Sequence, residues 1–184
     1  MRGLHHLVLA DGGRVRVRSL RRGDREIYRK AVARLSPRSR FLRFGSAATM
    51  PETLLARMID SDGQHHVAYA AFTQRETAIV GVVRYVRSAE AEGSAELALA
   101  VADDWQRRGL GSALLSIAVD RARQAGLSSL TATLLSENRG AARLLRKSGF
   151  QARRGAGIYA EYELGVGSPE PIERSRTEAD LKAA

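Results

Sequence analysis

Gln106, Gly109 and Gly111 stand at the spacing Gln-x-x-Gly-x-Gly, between an apolar run and a helical one. A turn of this kind directs several backbone N–H groups of a helix N-terminus into one small volume. Those donors have no partner within the helix and the helix dipole is positive there, so the volume favours an anion. Glycine at 109 and 111 lets a phosphate approach the backbone without meeting a Cβ. The expected chemistry is a diphosphate held by the N–H groups of Arg107, Arg108, Gly109, Leu110, Gly111 and Ser112. Two commoner phosphate turns are excluded. A P-loop needs Gly-Lys-Ser/Thr, which does not follow Gly111, and the dinucleotide fingerprint needs a third glycine where Leu114 stands.

The elements that position this turn follow from periodicity. Ala95-Glu96-Leu97-Ala98-Leu99-Ala100-Val101 reads as the strand that feeds it. The helix after it runs from Gly109 to about Ala125, with Leu110, Leu114, Ile117 and Ala118 on one face and Gly126 closing it. Upstream, Gly12-Gly13 is a turn and Arg14 to Arg18 alternates apolar and charged residues, as a half-exposed strand does. Asp24 caps a helix over about Arg25 to Arg34, and Ser36 to Phe44 reads as a loop anchored by Phe41 and Phe44. A second helix is expected from Pro51 to Ile59, with Thr49 or Met50 before it. Gln64–Thr73 and Thr77–Arg87 are rich in Val, Ile, Tyr and Phe, and Gln74-Arg75-Glu76 joins them as a hairpin. With Ala95–Val101, beyond the polar loop Ser88 to Ser94, they form an antiparallel meander. Downstream come a strand at Leu130 to Leu135, a helix at Asn138 to Ser148, and end strands from Phe150 to Leu164.

Composition bounds the classes. A chain of 184 residues with 44% hydrophobic content suits one globular domain, placed at residues 1–164, with 165–184 as a mobile, polar tail carrying a weak helix at Thr177 to Lys182. The sequence has no apolar run of about 18 residues and its first residues lack a secretory core, so a cytoplasmic protein without a membrane span is expected. The absence of cysteine excludes disulfides and thiolate chemistry. The histidines form two adjacent pairs, His5-His6 and His65-His66, and sequence neighbours point apart, so no metal site is expected. The net charge of +10 attracts phosphorylated ligands and nucleic acid alike, but no basic cluster is interleaved with aromatics, so a solvated arginine-rich surface outweighs nucleic-acid binding.

The turn, together with Trp105 before it, resembles the cofactor motif of the GNAT superfamily of acyl-CoA N-acetyltransferases. The run from Asn138 to Phe150, 27 residues beyond Gly111, resembles that family's second cofactor segment, an Asn-capped helix ending in Gly-Phe. The order of elements agrees: an α/β fold with a mixed, mostly antiparallel central sheet flanked by helices. Gly81 to Tyr85, Ala95-Glu96, Trp105-Gln106 and Ser39 to Phe44 resemble the bacterial Pat-type protein lysine acetyltransferases in particular.

The resemblance implies acetyl-CoA as cosubstrate, bound along Leu99, Ala100 and Val101 through a splay between this strand and the Leu130–Leu135 strand. It also implies cofactor contacts from Gln106 to Ser112 and Asn138, and an oxyanion donor at the N–H of Leu99 or Ala100. Glu96, a carboxylate in an otherwise apolar strand, is the expected general base, since burial makes a carboxylate a better proton acceptor. His65 and His66 are the runner-up bases, and Asp103 and Asp104 are expected to face solvent. Glu96, Ala98 and Ala100 share one face of the strand, which leaves room there for an acceptor. The Arg38–Phe44 and Ser88–Ser94 stretches are expected to border the acceptor cleft. One residue departs from the family pattern: Leu145 stands where many members carry a proton-donating tyrosine, with Tyr159 or Tyr162 as substitutes. The acceptor implied is a protein lysine, with a small-molecule amine as the alternative, in a monomer or homodimer. A non-catalytic acyl-CoA-binding regulatory domain is the reading from a different class.

Overall fold

The computed structural model describes residues 4–48 and 50–167. Thr49, the expected weak helix at Thr177 to Lys182 and most of the expected tail lie outside the described residues. Strand β1 (His5–Val8) opens the chain and has no counterpart in the sequence reading. It is a short edge strand, mostly exposed, and its burial pattern carries no alternation that periodicity could reveal. β2 (Arg14–Ser19) follows, then a short 3-10 turn and helix α1 (Arg25–Ala33).

Ser36–Phe44 is not a loop. Pro37–Phe44 forms helix α2, whose N-cap is Ser36 with its hydroxyl accepting from the Ser39 N–H at 3.2 Å. Proline at the first position starts the helix and the left-handed Gly45 ends it. Arginines at 38, 40 and 43 break the apolar stripe that would have revealed it. Helix α3 (Glu52–Ile59) leads into β3 (His66–Thr73), β4 (Ile79–Arg87) and β5 (Ser94–Val101), the antiparallel meander. Helix α4 (Leu110–Gln124), β6 (Ser129–Leu135), helix α5 (Arg139–Lys147), β7 (Gln151–Arg153) and β8 (Tyr159–Gly165) complete the fold. Ordered chain runs past residue 164: Gly165 closes β8, and Val166 is buried with its N–H on the Ser128 carbonyl at 2.8 Å.

The strands make one sheet in the order β1-β2-β3-β4-β5-β6-β8-β7. Every neighbouring pair is antiparallel except β5 and β6. Apolar clusters cover the two faces, and β3 divides its residues between them. Val67, Tyr69 and Ala71 join the cluster built on Leu110, Leu114, Leu115 and Ala118 of α4. Ala68, Ala70 and Phe72 join the cluster with Tyr28 and Val32 of α1 and Leu55, Met58 and Ile59 of α3. Each of the larger side chains stabilises the fold by about 1.5–3 kcal/mol when fully buried, and each alanine by less. A strand buried on both faces is the rigid centre from which β4 and β5 carry the site.

Candidate active site

The site begins where β5 and β6 part. Their parallel pairing covers only Ser94–Ser129, Ala95–Leu130 and Glu96–Thr131, after which β6 stays with β8 while β5 stays with β4. The expected splay is therefore present. Successive residues of a strand turn their N–H and C=O groups to alternate edges. The Ser94 carbonyl and the Ala102 N–H bond towards β4, at 2.9 Å each, so Leu97, Leu99 and Val101 face the splay. Ala100, one of the two expected oxyanion donors, turns its N–H to β4, and Leu99 is the residue whose N–H opens into the gap. The Val101 carbonyl accepts from Gln106 Nε2 at 3.1 Å, so the Gln106 side chain ties the strand end to the turn after it.

That turn takes left-handed conformations at Arg107 (φ 60°) and Gly109 (φ 87°). A non-glycine residue held there is strained, and such strain gathers at ligand clamps. Gly109 has open space where a Cβ would stand, so its own need for glycine is conformational. Gly111 differs: a Cβ there would come 3.2 Å from Leu144 Cδ2 and 3.7 Å from Leu99 Cδ2. It sets the close approach of α4 to α5 and β5. The first turn of α4 contains no acidic residue. Asn138 caps α5, its Oδ1 accepting from the Ala141 N–H at 3.1 Å.

Between these parts lies a cleft of about 420 Å³. Leu99, Ala100, Val101, Gln106, Arg107, Gly109, Gly111, Ser112 and Asn138 all line it. Arg108 and Leu110 do not: Arg108 pairs with Asp11 and stacks on the Trp105 ring at 4.1 Å, and Leu110 is fully buried. Ser39 and Leu42 line it too, within the stretch expected to border the acceptor, whereas Thr133 of β6 and Arg143 and Lys147 of α5 are lining residues that sequence reasoning missed. Arg43 lines the cleft as expected, whereas no residue of the Ser88–Ser94 loop does.

Glu96 is exposed, so the burial expected for it is absent. It stands one residue beyond the cleft wall, on the strand face it shares with Ala98 and Ala100. The runner-up bases are spent elsewhere. His66 holds its Nδ1 2.8 Å from the Asp60 carbonyl and its Nε2 is sealed from solvent, while His65 sits 3.3 Å from the Asp62 carboxylate in an outer turn. Asp103 is exposed, as expected, but its carboxylate is engaged. It accepts from the Ser36 N–H (3.0 Å), the Ser36 hydroxyl (3.0 Å) and the Ser39 hydroxyl (2.6 Å), binding the start of α2 to the segment that leads into the turn. Burial would raise its pKa, but these bonds outweigh it and hold the carboxyl below its usual range. Asp104 is exposed beside Arg34. Leu145 is buried, and neither Tyr159 nor Tyr162 lines the cleft; the Tyr162 hydroxyl accepts from the exposed Arg146 at 3.0 Å.

A family model described as the Acetyltransferase (GNAT) family matches residues 31–150. The chain is 35% identical over 149 residues to acetyltransferase PA5475 of Pseudomonas aeruginosa, covering 79% of this chain and 80% of that protein. It is 24% identical over 144 residues to acetyltransferase Pat of Mycolicibacterium smegmatis, covering 78% of this chain but 41% of that one. The solved GNAT domain of S. lividans PAT superposes with a TM-score of 0.81 at 26% identity, over 88% of this chain and 96% of that domain. The fold is shared with yncA from Salmonella typhimurium, solved with its cofactor acetyl-CoA, at a TM-score of 0.64 and 20% identity, over 84% of this chain and 95% of that one. The chain belongs to the GNAT acetyltransferase family. Among the described residues no helix is long and apolar enough to cross a membrane.

Proposed function

We propose that the cleft binds acetyl-CoA and that the protein transfers the acetyl group to an amine, a protein lysine, in the cytoplasm. The observation that carries the first part is the joint geometry of splay and turn. Two edge residues, Leu97 and Leu99, open into a gap lined by Ala98, Ala132 and Leu134, and the gap ends at the unpaired N–H groups that start α4. A narrow, largely apolar arm ending in a diphosphate matches that shape, and Arg107, Arg143 and Lys147 add positive charge on its wall. The Pat-like residues, and the likeness to the S. lividans PAT domain, support the lysine acceptor.

When bound, acetyl-CoA supplies an acyl group activated as a thioester. Glu96 takes the proton of the acceptor ammonium, through a water, because it stands three residues from Leu99, about 10 Å at strand rise. The Leu99 N–H donates to the acyl oxygen as negative charge develops on it. Leu145 offers no proton to the departing thiolate, whose ordinary pKa near 8.5 lets water supply one. That leucine is also the observation that favours a second reading, acyl-CoA binding without turnover. Incubating the protein with acetyl-CoA and a panel of proteins and small amines, read by mass spectrometry, separates the readings. Acetylated lysines support the first. A rise in melting temperature with acetyl-CoA but no product with any acceptor supports the second.

A further inference from the structure

On the strand face that carries Glu96, charges of both signs stand without ion-pair partners among the described residues. Arg84 of β4 lies directly opposite Ala98 of β5, so it projects from the same face, with Glu96 at the diagonal position, about 7–8 Å away. Its Nε is buried without a hydrogen-bond partner, and its Nη1 meets only the Met58 sulfur, a weak acceptor, at 2.8 Å. Arg43 of α2, half-buried on the cleft wall, stands 4.9 Å from the Phe44 ring and is near enough to Arg84 and Glu96 to feel both charges. Among the described residues neither arginine forms an ion pair, while the half-buried Arg18 is held by Asp24. Tyr28 closes the region from α1, and burial raises its pKa, so it stays a neutral phenol.

Two half-buried guanidinium groups in one place repel each other and have lost part of their hydration. Glu96 offsets one charge at a distance and leaves one in excess. Burial above all lowers the pKa of Arg43, with repulsion from Arg84 adding to it and Glu96 opposing it, and burial likewise lowers that of Arg84. Carboxylates are what such arginines bind, through paired, charge-assisted hydrogen bonds.

We propose that Arg43 and Arg84 form an anion pocket at the acceptor end of the cleft, which holds a carboxylate of the acceptor beside the amine that faces Glu96. The inference rests on the transfer reading above and narrows its acceptor to amines with a nearby carboxylate. Two sources carry that chemistry: a free amino acid, or a lysine flanked by an acidic residue in a polypeptide.

Two matched pairs of acceptors test it. Glutamate is compared with glutamine α-amide, and a peptide Glu-Lys-Glu with Gln-Lys-Gln, by acetyl-transfer kcat/KM. The carboxylate member of at least one pair should be favoured about tenfold or more, the usual worth of a charge-assisted bond, and the favoured pair names the source. Arg84→Gln and Arg43→Gln should each bring that ratio towards one, and Arg84→Lys should keep most of it. Ratios near one in both pairs for the wild type, or a ratio unchanged in both glutamine variants, overturn the proposal. A binding measurement separates this from failure of the transfer reading. With CoA present, glutarate should raise the melting temperature of the wild type and not of Arg84→Gln. If no acceptor is acetylated but that shift is seen, the pocket stands and transfer falls. If neither is seen, the pocket falls too.

Discussion

At pH 7 only about one lysine side chain in a few thousand is unprotonated, because an alkyl ammonium has a pKa near 10.4. A proton acceptor close to the amine is therefore worth much of the rate, and Glu96 is the carboxylate the β5 strand sets beside the cleft. Glu96→Gln should lower kcat by about 10²–10⁴-fold and leave acetyl-CoA affinity, read by calorimetry, nearly intact. Near-full activity in this variant would remove Glu96 from the mechanism. His66 plays a different part. Its Nδ1 must donate to the Asp60 carbonyl, so its sealed Nε2 carries the lone pair. Burial, reinforced by Arg84, lowers its pKa below the ordinary value near 6.5. In the window just below 6.5 the unfolded chain then binds more protons than the folded one, so stability rises with pH there and is lost as pH falls. The melting temperature of the wild type should fall between pH 7 and 5, and His66→Gln should flatten that fall. An equal slope in both proteins would assign the acid sensitivity to other groups.

At the scale of elements, the turn into α4 was legible because it needs glycine twice, at 109 for its left-handed backbone and at 111 for the close approach of Leu144 and Leu99. Helix α2 was not, because its fold rests on an N-cap and on a contact 64 residues away, Ser39 to Asp103, neither of which leaves a periodic trace. Arg84 was missed for a related reason. A lone charge in an apolar strand shows in the sequence, but which face it takes depends on the register that sets it against Ala98. Two variants test these elements. Ser112→Asp puts a carboxylate in the first turn of α4, where it suits the helix dipole but repels a diphosphate. Its apo melting temperature should hold or rise while acetyl-CoA affinity drops at least tenfold, and an unchanged affinity would move the phosphates elsewhere. Asp103→Ala removes the acceptor of three hydrogen bonds at the start of α2. Partly exposed as they are, they should together be worth about 1–2 kcal/mol in denaturant unfolding. The acceptor KM should rise with that loss, since α2 carries Arg43; a KM that stays at the wild-type value would uncouple α2 from acceptor binding.

Across the whole molecule, the two parts of the sheet share only the three paired positions at the start of β5 and β6. Beyond them β5 is a central strand with one edge bonded and the other open, a state that an ordinary sheet reserves for its rim. Hydrogen exchange should record this as an alternation along a single strand. The amides of Leu99 and Val101 should exchange faster than those of Ala98 and Ala100, which bond to β4. Adding acetyl-CoA should slow the fast set and barely alter the slow one, and uniform rates along β5 without ligand would mean that the gap closes in solution. The open seam also bears on how the chain is read by others of its kind: an unpaired edge of apolar residues invites strand addition from any extended peptide. A ligand that lies along that edge would therefore also close it to strand pairing.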